Sequence, residues 1–137
     1  MNTRLRHAVM VSLLGRQADR FHTYTPDRPL AERLEMLHAI PGCEGVEVVY
    51  PVEFRDLDAG SRVVRESGWP VAAVNLNVKR DDIWRNGSFT ANDAAVRRAA
   101  VGALKVAMDL AADLGSNLVT CCPLIDGHNY PFQVDYA

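Results

Sequence analysis

The stretch WRNGSFTANDAAVRRAAVGALKVAMDLAADLG, residues 84–115, decides how the rest of the chain is read. It opens on a turn, Asn86-Gly87-Ser88, followed by Phe89. Thr90 occupies an N-cap position and Asp93 falls three residues later, close to a capping box and favourable to the helix dipole. Val96, Ala100, Ala103, Ala107, Leu110 and Leu114 then recur at alternating spacings of four and three, which predicts one long helix with an apolar stripe. Arg97, Arg98, Lys105, Asp109 and Asp113 fall off that stripe and belong in water. Gly115 stands where a left-handed residue would end the helix. Gly102 lowers helix propensity by up to about 1 kcal/mol, which is tolerable if the helix lies close against a sheet.

The flanking segments alternate in character. Upstream, residues 69–78 (WPVAAVNLNV) read as a strand, with Pro70 acceptable near its start. Residues 54–66 form a weaker helix on Leu57, Val63 and Val64, closed by Gly68. Residues 45–50 (GVEVVY) are a strand stopped by Pro51. Leu30, Leu34, Leu37 and Ile40 predict a short amphipathic helix over residues 29–40, with Asp27 as cap and Pro41-Gly42 as its end. Residues 15–28 are polar and turn-rich, a loop. The compact apolar run at residues 7–14 is a first strand, and residues 117–122 (NLVTCC), ending at Pro123, are a fourth.

Four strands therefore alternate with three helices, each unit near the length of a βαβ repeat. Strands that read as near-continuous apolar runs belong to a parallel sheet covered by helices. That leaves a small doubly wound sheet or part of a (β/α)8 barrel. The phosphate fingerprint GxGxxG follows none of the strands, removing the usual support for a dinucleotide fold. Polar residues gather instead at the C-terminal strand ends: Ser12, Tyr50, Asn75, Asn77 and the run Asp126-Gly127-His128-Asn129-Tyr130. Barrel active sites are assembled on that face.

Composition narrows the class. The 137 residues are 48% hydrophobic and 23% charged with a formal net charge of -2, ordinary for one globular domain. Nothing in that balance, and no Lys/Arg cluster along the chain, calls for nucleic acid. Three cysteines, Cys43, Cys121 and Cys122, lack framework spacing, and a reducing cytoplasm is the simplest expectation. The N-terminus faintly resembles a signal peptide, but its apolar run is short and has no small-residue cleavage site, so a strand is the better reading. No stretch has the apolar length to span a membrane.

The segment Gly87-Ser88-Phe89-Thr90-Ala91-Asn92-Asp93, with Val96-Arg97-Arg98 after it, resembles the GGFTANDxxVRR segment of the xylose isomerase family. Asn75-Leu76 looks like the end of the third strand in that family. Residues 42–48, GCEGVEV, are similar to the GxxGVEL second strand of the wider sugar isomerase and epimerase superfamily. The resemblance implies an α/β fold, the N-terminal half of a (β/α)8 TIM barrel with about four parallel βα units. Residues 1–137 would then be one incomplete barrel domain, since eight units need about 250 residues. It implies a divalent-metal-dependent interconversion of aldose and ketose, or an epimerisation, with Mn2+, Mg2+ or Co2+ supplied by later strands. This chain alone would hold no metal and would be inactive in isolation. The chain departs from the family at Val49-Tyr50-Pro51, where those enzymes place a His and an Asp for ring opening. It departs again at Asn77, in place of an aromatic that packs on the sugar.

Several side chains are candidates for binding the sugar. His128 could donate to a substrate hydroxyl or carry a proton near neutrality, or be a surface histidine. Asp126 could accept from a hydroxyl or fix the turn before Gly127. Glu47, a charge inside an apolar strand, needs a partner if buried, whether it lines the pocket or serves the structure. Asn75 and Asn77 share a face by the two-residue period, and either could reach a hydroxyl or satisfy loop backbone. Trp84 could wall a sugar or cover the long helix; Tyr50 would complete the pocket wall. Cys121 and Cys122 are expected as buried small hydrophobes. His7, His22 and His38 have no ligand-like spacing. The rival expectations are a non-catalytic half barrel that pairs with a partner half or with itself, and a small flavodoxin-like binding domain.

Overall fold

The computed structural model describes residues 4–18, 21–123 and 126. The chain begins with β1 (His7–Met10), which gives way to a 3-10 turn over Val11–Leu14 rather than continuing as a strand to Leu14. Pairing to the neighbouring strand ends at Met10, and the turn then buries Val11 completely while leaving Leu13 exposed. The expected loop contains a small antiparallel pair, β2 (Gln17–Ala18) and β3 (Thr23–Thr25). Strands of two and three residues are too short to show alternation, so no periodicity marks them.

Helix α1 (Leu30–Met36) runs on into a 3-10 turn at Leu37–Ala39. Its N-cap is Pro29, without a side-chain cap; Asp27 accepts instead from the backbone N–H of Arg28. Strand β4 (Cys43–Tyr50) is followed by α2 (Leu57–Ser67), capped by Asp56, whose carboxylate accepts from the Ala59 N–H at 2.9 Å. Gly68 closes α2 at φ +72°, as its position after the last apolar residue predicts. Strand β5 (Val71–Leu76) leads through a 3-10 turn at Asp82–Trp84 to α3 (Ala94–Asp113), and β6 (Val119–Cys121) completes the series.

Helix α3 is capped by Asp93, whose carboxylate accepts from Ala95 N–H at 2.7 Å; Thr90 is not the cap. The apolar stripe lies where its spacing places it: Ala100, Ala107 and Leu110 are buried, and Val96, Ala103 and Leu114 pack beside them. Gly115 is left-handed at φ +76°. Gly102 is exposed and a methyl added there would meet nothing within 4 Å, so it marks no close approach to the sheet.

Strands β1, β4, β5 and β6 form one parallel sheet in the order β1-β4-β5-β6, so each new strand joins beside the last and the order never reverses. Register fixes two faces. Val48 pairs with Val74 and Val74 with Val119, and on this face Val46, Val48, Val74 and Leu76 meet Leu34, Leu37, Val64, Ala100, Ala107 and Leu110 from all three helices. Right-handed crossovers between successive neighbours place helices on one side of a parallel sheet. The other face carries Met10, Glu47, Val49, Ala73, Asn75 and Thr120, by the same register.

Candidate functional site

Two constructions occupy the sheet face away from the helices and the C-terminal ends of its strands. The first crosses three strands. Asn75 Nδ2 donates to Thr120 Oγ1 at 2.8 Å, and Thr120 Oγ1 donates to Glu47 Oε1 at 2.7 Å. Asn75 lies directly opposite Thr120 in the ladder, while Glu47 is one strand further over. The strand charge thus finds its partner in a hydroxyl two strands away, and the row is polar where the core face is apolar. Thr120 escapes sequence reasoning because a threonine in an apolar strand reads as an ordinary β-former.

The second is a cavity of about 750 Å3 opening at the strand ends, lined among others by Ser12, Arg16, Asp27, Val49, Asn77 and Arg80. Arg28 and Arg33 complete a set of four arginines around it. The chain shows no Lys/Arg run, yet folding gathers these four from separate segments. Arg33 Nη1 donates to Glu53 Oε1 at 2.8 Å, while Glu53 Oε2 accepts from the Val49 N–H at 2.6 Å. This pair is buried, with the Glu53 side chain fully enclosed. Arg28 donates to the Leu14 carbonyl and pairs with Glu32 at 3.2 Å. Among the described residues, no ion pair engages the guanidinium of Arg16 or of Arg80.

Asn77 is placed on this cavity by its backbone N–H, which donates to the Tyr50 carbonyl at 2.7 Å. Its Oδ1 accepts from the N–H groups of Lys79 and Arg80 at 3.1 and 3.0 Å, so the Asn77 oxygen holds its own loop while Nδ2 remains a donor. Arg55 reaches from the loop after β4 to clamp Asp81 beyond β5 with two hydrogen bonds, 2.8 and 2.5 Å. The hydrogen bond from Arg55 holds the Asp81 carboxyl below its ordinary range, and raises the Arg55 pKa in turn.

The remaining candidates are distributed differently. Tyr50 lies on the helix side of the sheet and packs against the core, on the opposite face from Glu47 and Asn75. Trp84 is buried in the core, and its Nε1 has no hydrogen-bond partner among the described residues. Asp126 fastens the loop before α3: its carboxylate accepts from the Ser88 and Thr90 hydroxyls and from the Phe89 and Thr90 N–H groups. Burial works to raise the Asp126 pKa, but the hydrogen bonds from Ser88 and Thr90 outweigh it and hold the carboxyl low. What Asp126 fixes is thus the segment 88–90 across the fold, a role that its place before Gly127 does not announce. His128 lies outside the described residues. Cys122 is exposed, against the expectation of burial, because its strand ends at Cys121. Burial pushes the partly covered Cys121 thiol upward.

Among the described residues, no three His, Cys, Asp or Glu side chains converge where a metal ion could be held. The described residues contain no helix long and apolar enough to cross a membrane. No protein-family model matches the chain. What the fold defines is an α/β protein with a four-stranded parallel sheet and helices packed against it.

Proposed function

We propose that the four strands are the N-terminal half of a (β/α)8 barrel, and that their C-terminal ends form one wall of the sugar pocket of a cytoplasmic isomerase or epimerase. The observation that carries this reading is the sequential parallel order together with a hydrogen-bonded Glu47–Thr120–Asn75 row on the face away from the helices. In a closed barrel that face is the interior and active sites lie at its C-terminal end. A polyhydroxylated substrate suits donors and acceptors already fixed by neighbours, such as Asn77 Nδ2 and the row ending at Asn75. Aldose–ketose interconversion and epimerisation are the reactions the resemblance implies. A divalent cation would polarise the sugar oxygens there, and by the resemblance its ligands would come from the complementary half.

Pairing follows from the same topology. Among the described residues, strands β1 and β6 stand at the two edges of the sheet with one side of each ladder open. Such edges invite another strand, from a second copy or from a C-terminal half. A non-catalytic half-barrel module is the second reading, favoured by these same edges. The flavodoxin-like alternative shares the α/β sheet, but its ligand would sit where strand order reverses, and the described strands run sequentially.

The test is a paired measurement on the full chain. Sedimentation should show self-association, and titration with Mn2+ or Mg2+ should give no tight binding in the absence of a complementary half. A well-behaved monomer that takes up Mn2+ tightly would overturn the proposal. Conversion of an aldose by the reconstituted barrel, absent from either half alone, would separate the enzyme from the non-catalytic module.

A further inference from the structure

We infer that the arginine-lined cavity at the ends of β1, β4 and β5 is a binding site for a phosphate monoester, so that the substrate of the proposed pocket is a phosphorylated sugar. The inference rests on that pocket for the sugar, while the anion site stands on its own geometry.

The lining is biased toward donors. Arg16 and Arg80 bring two positive charges that no described carboxylate neutralises by an ion pair. Arg28 adds a third whose partner, Glu32, is largely exposed and so holds it only weakly. Asn77 contributes Nδ2, its oxygen being occupied by the backbone of Lys79 and Arg80, and Ser12 a hydroxyl. Against these stands Asp27, the one carboxylate in the wall among the described residues, already accepting from the Arg28 N–H. Guanidinium groups present planar forks matched to phosphate and carboxylate oxygens. Two arginines outside any ion pair favour the phosphate, which carries close to two negative charges at neutral pH where a carboxylate carries one; the neighbouring Asp81, already clamped by Arg55, offsets Arg80 only at longer range.

The site is also built on a rigid floor. Arg33 would bring a further charge, but Glu53 neutralises it, and the Arg33 Nε is a buried donor without a partner among the described residues. The Glu53 carboxylate ties that guanidinium to the Val49 backbone at the end of β4, so this part of the cavity lining is held in place. Arg55 and Asp81 clamp the segment that carries Arg80. At about 750 Å3 the cavity falls within the usual range for small-molecule sites and has room for a sugar beside the anion.

Calorimetric titration of the full chain with inorganic phosphate, a hexose phosphate, the corresponding hexuronate and the neutral hexose tests this directly. The hexose phosphate should bind saturably and at least about tenfold more tightly than the hexuronate, the scale of one charge-assisted hydrogen bond. Arg16→Gln and Arg80→Gln should each weaken phosphate and hexose phosphate by about tenfold and leave the neutral hexose unchanged. Arg98→Gln, on the outer face of α3, should change nothing. Equal binding of phosphate by all variants, or no saturable binding of either phosphate ligand, overturns the anion site. Tighter binding of the hexuronate would overturn the choice of phosphate. Neutral hexose binding that survives such a failure leaves the sugar pocket standing; phosphate binding without hexose binding upholds the anion site and sinks the sugar reading.

Discussion

Single residues here carry more than their sequence positions announce. Glu53 sits in a short polar stretch after Pro51, and nothing in its spacing points to Arg33, twenty residues away, or to the Val49 backbone. Its side chain is fully enclosed, so removing it would strand the Arg33 charge in a site that water hardly reaches. We expect Glu53→Ala to lower stability by about 3 kcal/mol or more in urea denaturation. Replacing both partners by apolar residues of similar volume should recover most of that loss, because no buried charge is then left alone. Glu47 was legible as a charge that needs a partner, but the partner was not: Thr120 becomes its neighbour only through the parallel register. Asp126 and Asp81 extend the same logic to acid. Both carboxyls sit below their ordinary value in the folded chain, so their contribution is complete above the unfolded value of about 3.9 and is lost as pH falls through the folded value. Protection of the Phe89 and Thr90 amides, relative to their intrinsic exchange, should therefore fall as the pH drops below the ordinary carboxylate range, while the core amides stay protected. Unchanged protection at those two positions would show that Asp126 does not hold the loop.

At the scale of the element, the helices were the most readable part of the chain. The stripe of α3 and the glycines ending α2 and α3 stand where their spacing places them, because burial on one face imposes a period that sequence displays directly. Caps were read less well. Thr90 and Asp93 are both good N-cap residues, and the choice of Asp93 follows from Thr90 being claimed by Asp126 across the fold. Asp93→Ala should then cost about 1 kcal/mol in thermal or urea unfolding, and the cost should come from α3 itself. Two helical glycines differ sharply in surroundings. Gly102 faces open space, so Gly102→Ala should stabilise by up to about 1 kcal/mol through propensity alone, visible as a raised Tm. A methyl at Gly60 would lie 2.7 Å from the Glu53 carbonyl oxygen and 2.8 Å from Phe54 Cδ1. Gly60→Ala should accordingly destabilise by about 1–3 kcal/mol despite the better propensity of alanine.

For the whole molecule, alternation of strand and helix was enough to announce a parallel sheet, but not which segments would meet at its strand ends. The candidate pocket shows why. Ser12, Arg16, Asn77 and Arg80 come from two loops more than sixty residues apart, and only the adjacency of β1, β4 and β5 brings their segments together. A count of basic residues along the chain cannot see a cluster that exists only in space. The order β1-β4-β5-β6 has one more consequence. Each of β4, β5 and β6 pairs with a strand made before it, so each of them, on leaving the ribosome, finds its template already translated. The sheet can be laid down one strand at a time in the direction of synthesis, each finished edge serving as the template for the next arrival.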